Sequence, residues 1–147
     1  MTRARDLANW GDQVPNAETA WTTFTPTWTN LTVGNATVNA TYKQIGKTII
    51  YQILLTFGST TSISGSVSVT MPVTAKTAET HNGNVVYNDN ATDWILGYII
   101  DTNTTTFAIT AANATVTYIK STTLSSTVPF TWTTNDKIKI SGTYEAA

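Results

Sequence analysis

The chain has 147 residues, eight Lys and Arg against nine Asp and Glu, and no cysteine. The lack of cysteine excludes disulfides, thiolate metal sites and cysteine nucleophiles, and a net charge of −1 gives no electrostatic basis for binding nucleic acid or an anionic membrane. The 33 threonines, with 41 % hydrophobic and 10 % aromatic residues, favour a folded β-rich domain over a disordered chain.

The N-terminal segment differs from the rest and is predicted to be an arm or linker, residues 1–20, ahead of one β domain, residues 21–147. Helix-forming residues precede Gly11, which suits a helix C-cap, and Pro15 interrupts the chain. The arm lacks the apolar core of a secretory signal, and no segment has the ~18–20 consecutive apolar residues of a membrane helix. We therefore expect no membrane insertion.

From Trp21 onward, apolar and polar residues alternate with the period of two that is typical of half-buried strands. Pro26 favours an edge position, residues 45–47 a tight hairpin, Gly97 a β-bulge, and residues 76–84 a loop. The alternation predicts strands over residues 24–29, 38–43, 49–57, 63–71, 85–87, 94–100, 107–109, 116–118, 128–132 and 138–144. Eight to ten short strands without a helical window indicate a sandwich, a jelly roll or a barrel.

One predicted strand, residues 49–57, is apolar on both faces, because Ile50 and Leu54 lie opposite the main apolar row. A strand of this kind is central in its sheet, or is covered by a second layer or a partner chain.

Catalytic sets are sparse in this sequence. His81 is the only histidine, and the Asn82-Gly83 that follows it predicts a surface or loop histidine rather than a catalytic base. The carboxylates Asp89, Asp93 and Asp101 have two interpretations: a polar loop with charged strand ends, or a paired-carboxylate site.

The segment around Asp89 offers a cluster of oxygen ligands. We take Asn88, Asp89, Asn90 and Asp93 as candidate ligand-binding residues, although they lack the spacing of a calcium-binding loop. Neither a metal nor a cofactor is predicted. Most of the five tryptophans are expected in the core, but an exposed one would present a ring for stacking on sugars.

Two groups of segments go beyond generic β patterning. The first comprises FTPTWT at 24–29, GNATV at 34–38, YKQIGKT at 42–48, GST at 58–60 and SGSV at 64–67; the second comprises FTW at 130–132, NDKI at 135–138 and SGTYEAA at 141–147. Together with RARDLAN at 3–9, the chain resembles the C-terminal β-domain of bacteriophage tail-fibre and minor tail proteins.

The resemblance implies an antiparallel jelly-roll-like β-sandwich that assembles as a homotrimer, carries no catalytic motif, and serves virion architecture or attachment to a host-surface polysaccharide or protein. It further implies location in the virion, with assembly in the host cytoplasm and release by lysis. The short arm implies docking onto other virion proteins of the tail or capsid. The arm residues predicted to dock are Arg3, Arg5, Leu7 and Trp10.

The sequence therefore predicts a short, non-enzymatic tail-fibre-like trimer for glycan attachment. The alternative is a capsid decoration or head-fibre protein anchored by its arm, and a more remote one is a polysaccharide depolymerase using Asp89, Asp93 or Asp101.

Overall fold

The computed structural model describes residues 20–78, 81–90, 92–115 and 117–147, which form an all-β fold without a helix in these ranges. The strands are β1 Thr22–Thr23, β2 Trp28–Thr32, β3 Thr37–Ile45, β4 Thr48–Thr56, β5 Ser62–Thr70, β6 Asn82–Asn88, β7 Trp94–Asp101, β8 Thr106–Asn113, β9 Lys120–Thr123 and β10 Lys137–Glu145. None of the described residues belongs to a helix long and apolar enough to cross a membrane.

All ten strands belong to one curled antiparallel sheet with the order β1-β3-β4-β10-β6-β7-β8-β5-β2. The strand β9 pairs with β8 beyond the part of β8 that pairs with β5. The chain between β1 and β2 runs from one edge of the sheet to the other, where Phe24 N donates to Ala40 O at 3.1 Å and Thr70 N donates to Thr27 O at 3.1 Å. Of the strand predicted over residues 24–29, only 28–29 belong to a strand, and Pro26 lies in the crossing segment rather than in an edge strand.

The core lies inside the curl and is built from alternate residues of each strand. On β4, Ile49, Tyr51, Ile53 and Leu55 are at most 2 % exposed, whereas the residues between them face outward. Each fully buried aliphatic side chain of this size contributes about 1.5–3 kcal/mol relative to exposure. The alternation that predicted the strand therefore also places its core side chains.

The segments 116–118 and 128–132 were predicted as strands, and this prediction is wrong for the described residues. Residues 117–119 form a bend and loop, Val116 lies outside the described residues, and residues 129–136 contain no strand. Trp132 instead closes one end of the core: its ring stacks on Phe57 at 4.7 Å, and its Nε1 donates to Ser125 O at 3.0 Å. The apolar spacing of 128–132 thus reflects core filling without a partner strand.

Gly97 is not at a β-bulge, since the register of β7 against β6 runs unbroken through it and the pairing with β8 begins at it without a shift. Its lack of a side chain serves a close approach: a Cβ there would lie 2.3 Å from Thr110 O and 2.5 Å from Tyr87 Cε2. The loop predicted over 76–84 is also too long, because β6 already begins at Asn82.

Two segments that carry the sequence resemblance meet at one end of the sheet. Asn35 Oδ1 accepts from Thr60 N and Thr60 Oγ1, both at 2.9 Å, and Asn35 Nδ2 donates to Ser59 Oγ at 3.1 Å. Gly58 lies against Asn35 with no room for a side chain. These motif residues therefore fix the contact between two loops.

Candidate functional site

The outward-pointing residues of five neighbouring strands form one continuous surface, here called the outer face. Its strands β3, β4, β10, β6 and β7 are consecutive in the sheet. The outer face consists of Asn39, Thr41, Lys43, Ile50, Gln52, Leu54, Lys137, Lys139, Ser141, Thr143, Glu145, Asn82, Asn84, Val86, Trp94, Leu96, Tyr98 and Ile100. No described part of the chain lies over β7, the most apolar of these strands, as the exposure of its side chains shows.

The β7 side of the outer face is a row of large apolar side chains in contact with solvent. Trp94 is 61 % exposed, Leu96 62 %, Tyr98 41 % and Ile100 43 %. Scattered exposed apolar residues are normal, but a contiguous row is typical of an interaction surface.

The strand β4, predicted to be apolar on both faces, contributes Ile50 and Leu54 to the outer face. The strand β4 is hydrogen-bonded to β3 and β10, which confirms the predicted central position. Ile50 remains 38 % exposed and Leu54 half-buried, so the second layer that would cover them is not supplied by the described residues.

A groove of about 480 Å³ lies beside this row, over β3, β4, β10 and β6. Leu54 and Val86 provide apolar contact area within it. Its polar lining consists of amides, hydroxyls and one ammonium group, from Asn39, Thr41, Gln52, Asn84, Lys139 and Ser141.

The charges on the outer face are nearly all positive. Three lysines, Lys43, Lys137 and Lys139, stand against one carboxylate, Glu145, which pairs with Lys76 at 2.9 Å. The Lys139 ammonium lies 4.2 Å from the centroid of the Trp94 ring. The groove and the apolar row of β7 therefore meet at a cation–π contact, in which the quadrupole of the Trp94 ring attracts the Lys139 ammonium.

The predicted ligand-binding residues Asn88, Asp89, Asn90 and Asp93 come together in the turn between β6 and β7. Their contacts are structural: buried Asn88 donates to Asp89 O at 3.3 Å and Asp93 O at 3.4 Å, and Asp89 N donates to Asp93 O at 2.9 Å. Asn90 N donates to buried Asp136 Oδ1 at 3.0 Å. Among the described residues, no group of three His, Cys, Asp or Glu is placed to hold a metal.

Of the carboxylates considered for a depolymerase, Asp101 lies far from Asp89 and Asp93. Asp101 ends β7 while Asp93 precedes it, a separation of roughly 27 Å for eight residues at ~3.4 Å per residue. Paired catalytic carboxylates need about 5–10 Å, so Asp101 is not a partner of Asp93. The arm residues Arg3, Arg5, Leu7 and Trp10 lie outside the described residues.

His81 lies just before β6, outside any strand, but its side chain is buried, which corrects the expectation of a surface position. Its side chain is 1 % exposed, and its Nδ1 lies 2.9 Å from Asp101 Oδ1. Its Nε2 accepts from the Tyr51 hydroxyl. Burial lowers the pKa of His81, outweighing Asp101, which raises it. The imidazole is therefore neutral, with its proton on Nδ1 toward Asp101.

This Tyr51–His81–Asp101 chain has the order of a catalytic relay, but it lies in the core. Tyr51 is 1 % exposed, and burial raises the pKa of its phenol further above the ordinary value. A nucleophile must reach its substrate, and this hydroxyl does not. The sequence signal that was missed is the alternation itself: His81 and Gly83 continue inward from Val85 and Tyr87.

Comparison with known proteins adds no relative. No family model, curated protein or solved structure matches this chain.

Proposed function

We propose that the chain is a bacteriophage virion structural protein, a short tail-fibre-like trimer that presents its β domain for attachment to a host-surface glycan. The observation that carries the proposal is the outer face, where the exposed apolar row of β7, with its aromatic residues Trp94 and Tyr98, borders a groove lined by amides and hydroxyls. Aromatic rings stack on sugar rings, and amides and hydroxyls match sugar hydroxyls as donors and acceptors. The resemblance to tail-fibre domains supports the same role.

The experiment is adsorption of the phage that carries the protein. Fluorescently labelled protein is added to host cells, and phage adsorption is then measured with increasing amounts of unlabelled protein. We expect labelled cells and a dose-dependent block of adsorption. Protein that neither labels the cells nor slows adsorption would contradict attachment and favour the capsid decoration role.

We propose trimerisation through the end of the outer face that carries Ile50 and Ile100, because both aliphatic side chains are exposed there and this end lies away from Trp94. Ile50 and Ile100, 38 % and 43 % exposed, lie three strand positions apart, about 14 Å. Light scattering at micromolar concentration is expected to give three times the chain mass of 15.9 kDa. The double variant Ile50→Lys/Ile100→Lys is expected to be a monomer, because burying unpaired charges opposes association.

The matched control for the trimer is Ile119→Lys, since Ile119 is 65 % exposed but lies in the loop before β9. This control is expected to remain a trimer. A wild-type monomer at micromolar concentration would contradict the trimer.

A further inference from the structure

We infer that the outer-face groove binds an anionic polysaccharide, with an acidic group of the glycan at Lys139 and a sugar ring against Trp94. The inference rests on the proposed attachment function and adds the substrate class and the residues. The proposed glycan site is at the Trp94 end of β7. The Ile100 end, which is proposed for self-association, is at the other end of the strand.

The lysines of β10 on the outer face favour an anionic ligand. The chain as a whole has a net charge of −1, yet β10 places two lysines, Lys137 and Lys139, on the part of the outer face beside Trp94. The described residues place no carboxylate within ion-pair distance of Lys137 or Lys139. Field lines from two such ammonium groups attract an anion to this part of the surface.

The aromatic contact is the second argument. The Lys139 ammonium lies 4.2 Å from the Trp94 centroid, and the indole is 61 % exposed. An acidic group bound at this ammonium therefore brings the ring that bears it beside the indole. Sugar rings present apolar C–H faces, which suit contact with an exposed aromatic.

The polar lining is the third argument. Ser141 Oγ donates to Asn84 Oδ1 at 2.8 Å, and Gln52 Nε2 donates to Thr41 Oγ1 at 3.3 Å. These two bonds orient the amides and leave Asn84 Nδ2 as a donor and Gln52 Oε1 as an acceptor. A sugar hydroxyl both donates and accepts, so it matches this pair.

Other macromolecules fit the outer face less well. A nucleic acid depends on many phosphate contacts, about 6–10 in typical complexes, and the face has three lysines. A peptide that adds a strand needs an open sheet edge, whereas β4, β10, β6 and β7 are each paired on both sides.

The experiment measures binding of the full chain to two acidic polymers, polygalacturonate and alginate, and to polygalacturonate whose carboxylates have been reduced to alcohols. We expect at least one acidic polymer to bind, the reduced polymer to bind at least tenfold more weakly, and affinity to fall with added salt. Poly(dT) and poly-glutamate are included to test the nucleic-acid and acidic-peptide alternatives.

The variants assign the residues. Lys139→Gln and Trp94→Ala are each expected to weaken binding of the acidic polymer about tenfold, through loss of a charge-assisted contact and of the ring contact respectively. Lys120→Gln is the matched control, since Lys120 is an exposed lysine on β9, away from the outer face, and its variant is expected to bind as the wild type does. Unchanged melting temperatures show that the variants fold.

The outcomes separate this inference from the proposed function. Binding of neither acidic polymer, equal binding of the reduced polymer, tighter binding of poly(dT) or poly-glutamate, or unchanged binding by both variants would overturn the inference. If the inference is overturned while the protein still blocks phage adsorption, attachment stands with another ligand. If an acidic polymer binds but adsorption is not blocked, the groove stands and the attachment function fails.

Discussion

Gly97→Ala is expected to destabilise the protein by about 3 kcal/mol, among the largest effects of adding one methyl group, because overpacking of a close core contact usually costs ~1–3 kcal/mol. The new Cβ would lie 2.3 Å from Thr110 O, a backbone atom that cannot rotate away, and 2.5 Å from Tyr87 Cε2. To make room for the methyl group, Thr110 or Tyr87 must move, which would disturb the 3.0 Å hydrogen bond that the Tyr87 hydroxyl donates to Thr110 O. Thermal unfolding followed by circular dichroism measures the effect.

The control for Gly97→Ala is Gly65→Ala on β5, where the nearest atom to the added Cβ is Asn30 Nδ2 at 3.9 Å. Gly65→Ala is expected to change the unfolding free energy by less than about 1 kcal/mol. If Gly97→Ala unfolds at the same temperature as Gly65→Ala, the described register of β7 against β8 is wrong.

Acidification is expected to destabilise the protein through His81. Because burial lowers the pKa of His81 in the folded state, the unfolded chain binds a proton at a higher pH than the folded chain does. The contribution of His81 is fully present above the unfolded pKa of about 6.5 and is lost as pH falls below it toward the folded pKa. Protonation of His81 at Nε2 also places an N–H against the Tyr51 hydroxyl, which donates to that nitrogen in the neutral state.

The measurement is urea unfolding at pH 7.5, 6.5 and 5.5 for the wild type and for His81→Gln. The chain has one histidine, so no other histidine contributes in this range. His81→Gln is expected to be less stable by about 3 kcal/mol at pH 7.5, the cost of breaking a buried hydrogen-bonded chain. Its stability is expected to depend less on pH than that of the wild type. Equal pH slopes for the two proteins would contradict a buried neutral His81.

The strands with clean alternation were predictable from the sequence. The hairpin of β3 and β4 and the final strand β10 were found because one face of each is in the core, which fixes a period of two. The segment 128–132 has the same spacing but no partner, because pairing is not a local property. The alternation of apolar and polar residues predicts which side chains of a strand face the core, but it does not predict which strands pair with it.

The candidate site shows the same limit. Most of the tryptophans, Trp94 among them, were expected in the core, whereas Trp94 is 61 % exposed. The groove itself depends on β10 lying between β4 and β6, which joins residues 52 and 84 through residue 141. His81 was missed because Asn82-Gly83 is a strong local turn signal, which the pairing of β6 with β10 overrides.

The most direct test of the virion role is the position of the protein on the particle. Purified particles of the phage that carries it are decorated with a gold-labelled antibody raised against residues 21–147 and imaged by electron cryo-microscopy. We expect label at the tail, at the end that meets the host. Label over the capsid would contradict the tail-fibre assignment in favour of decoration, and particles without label would contradict a virion protein altogether.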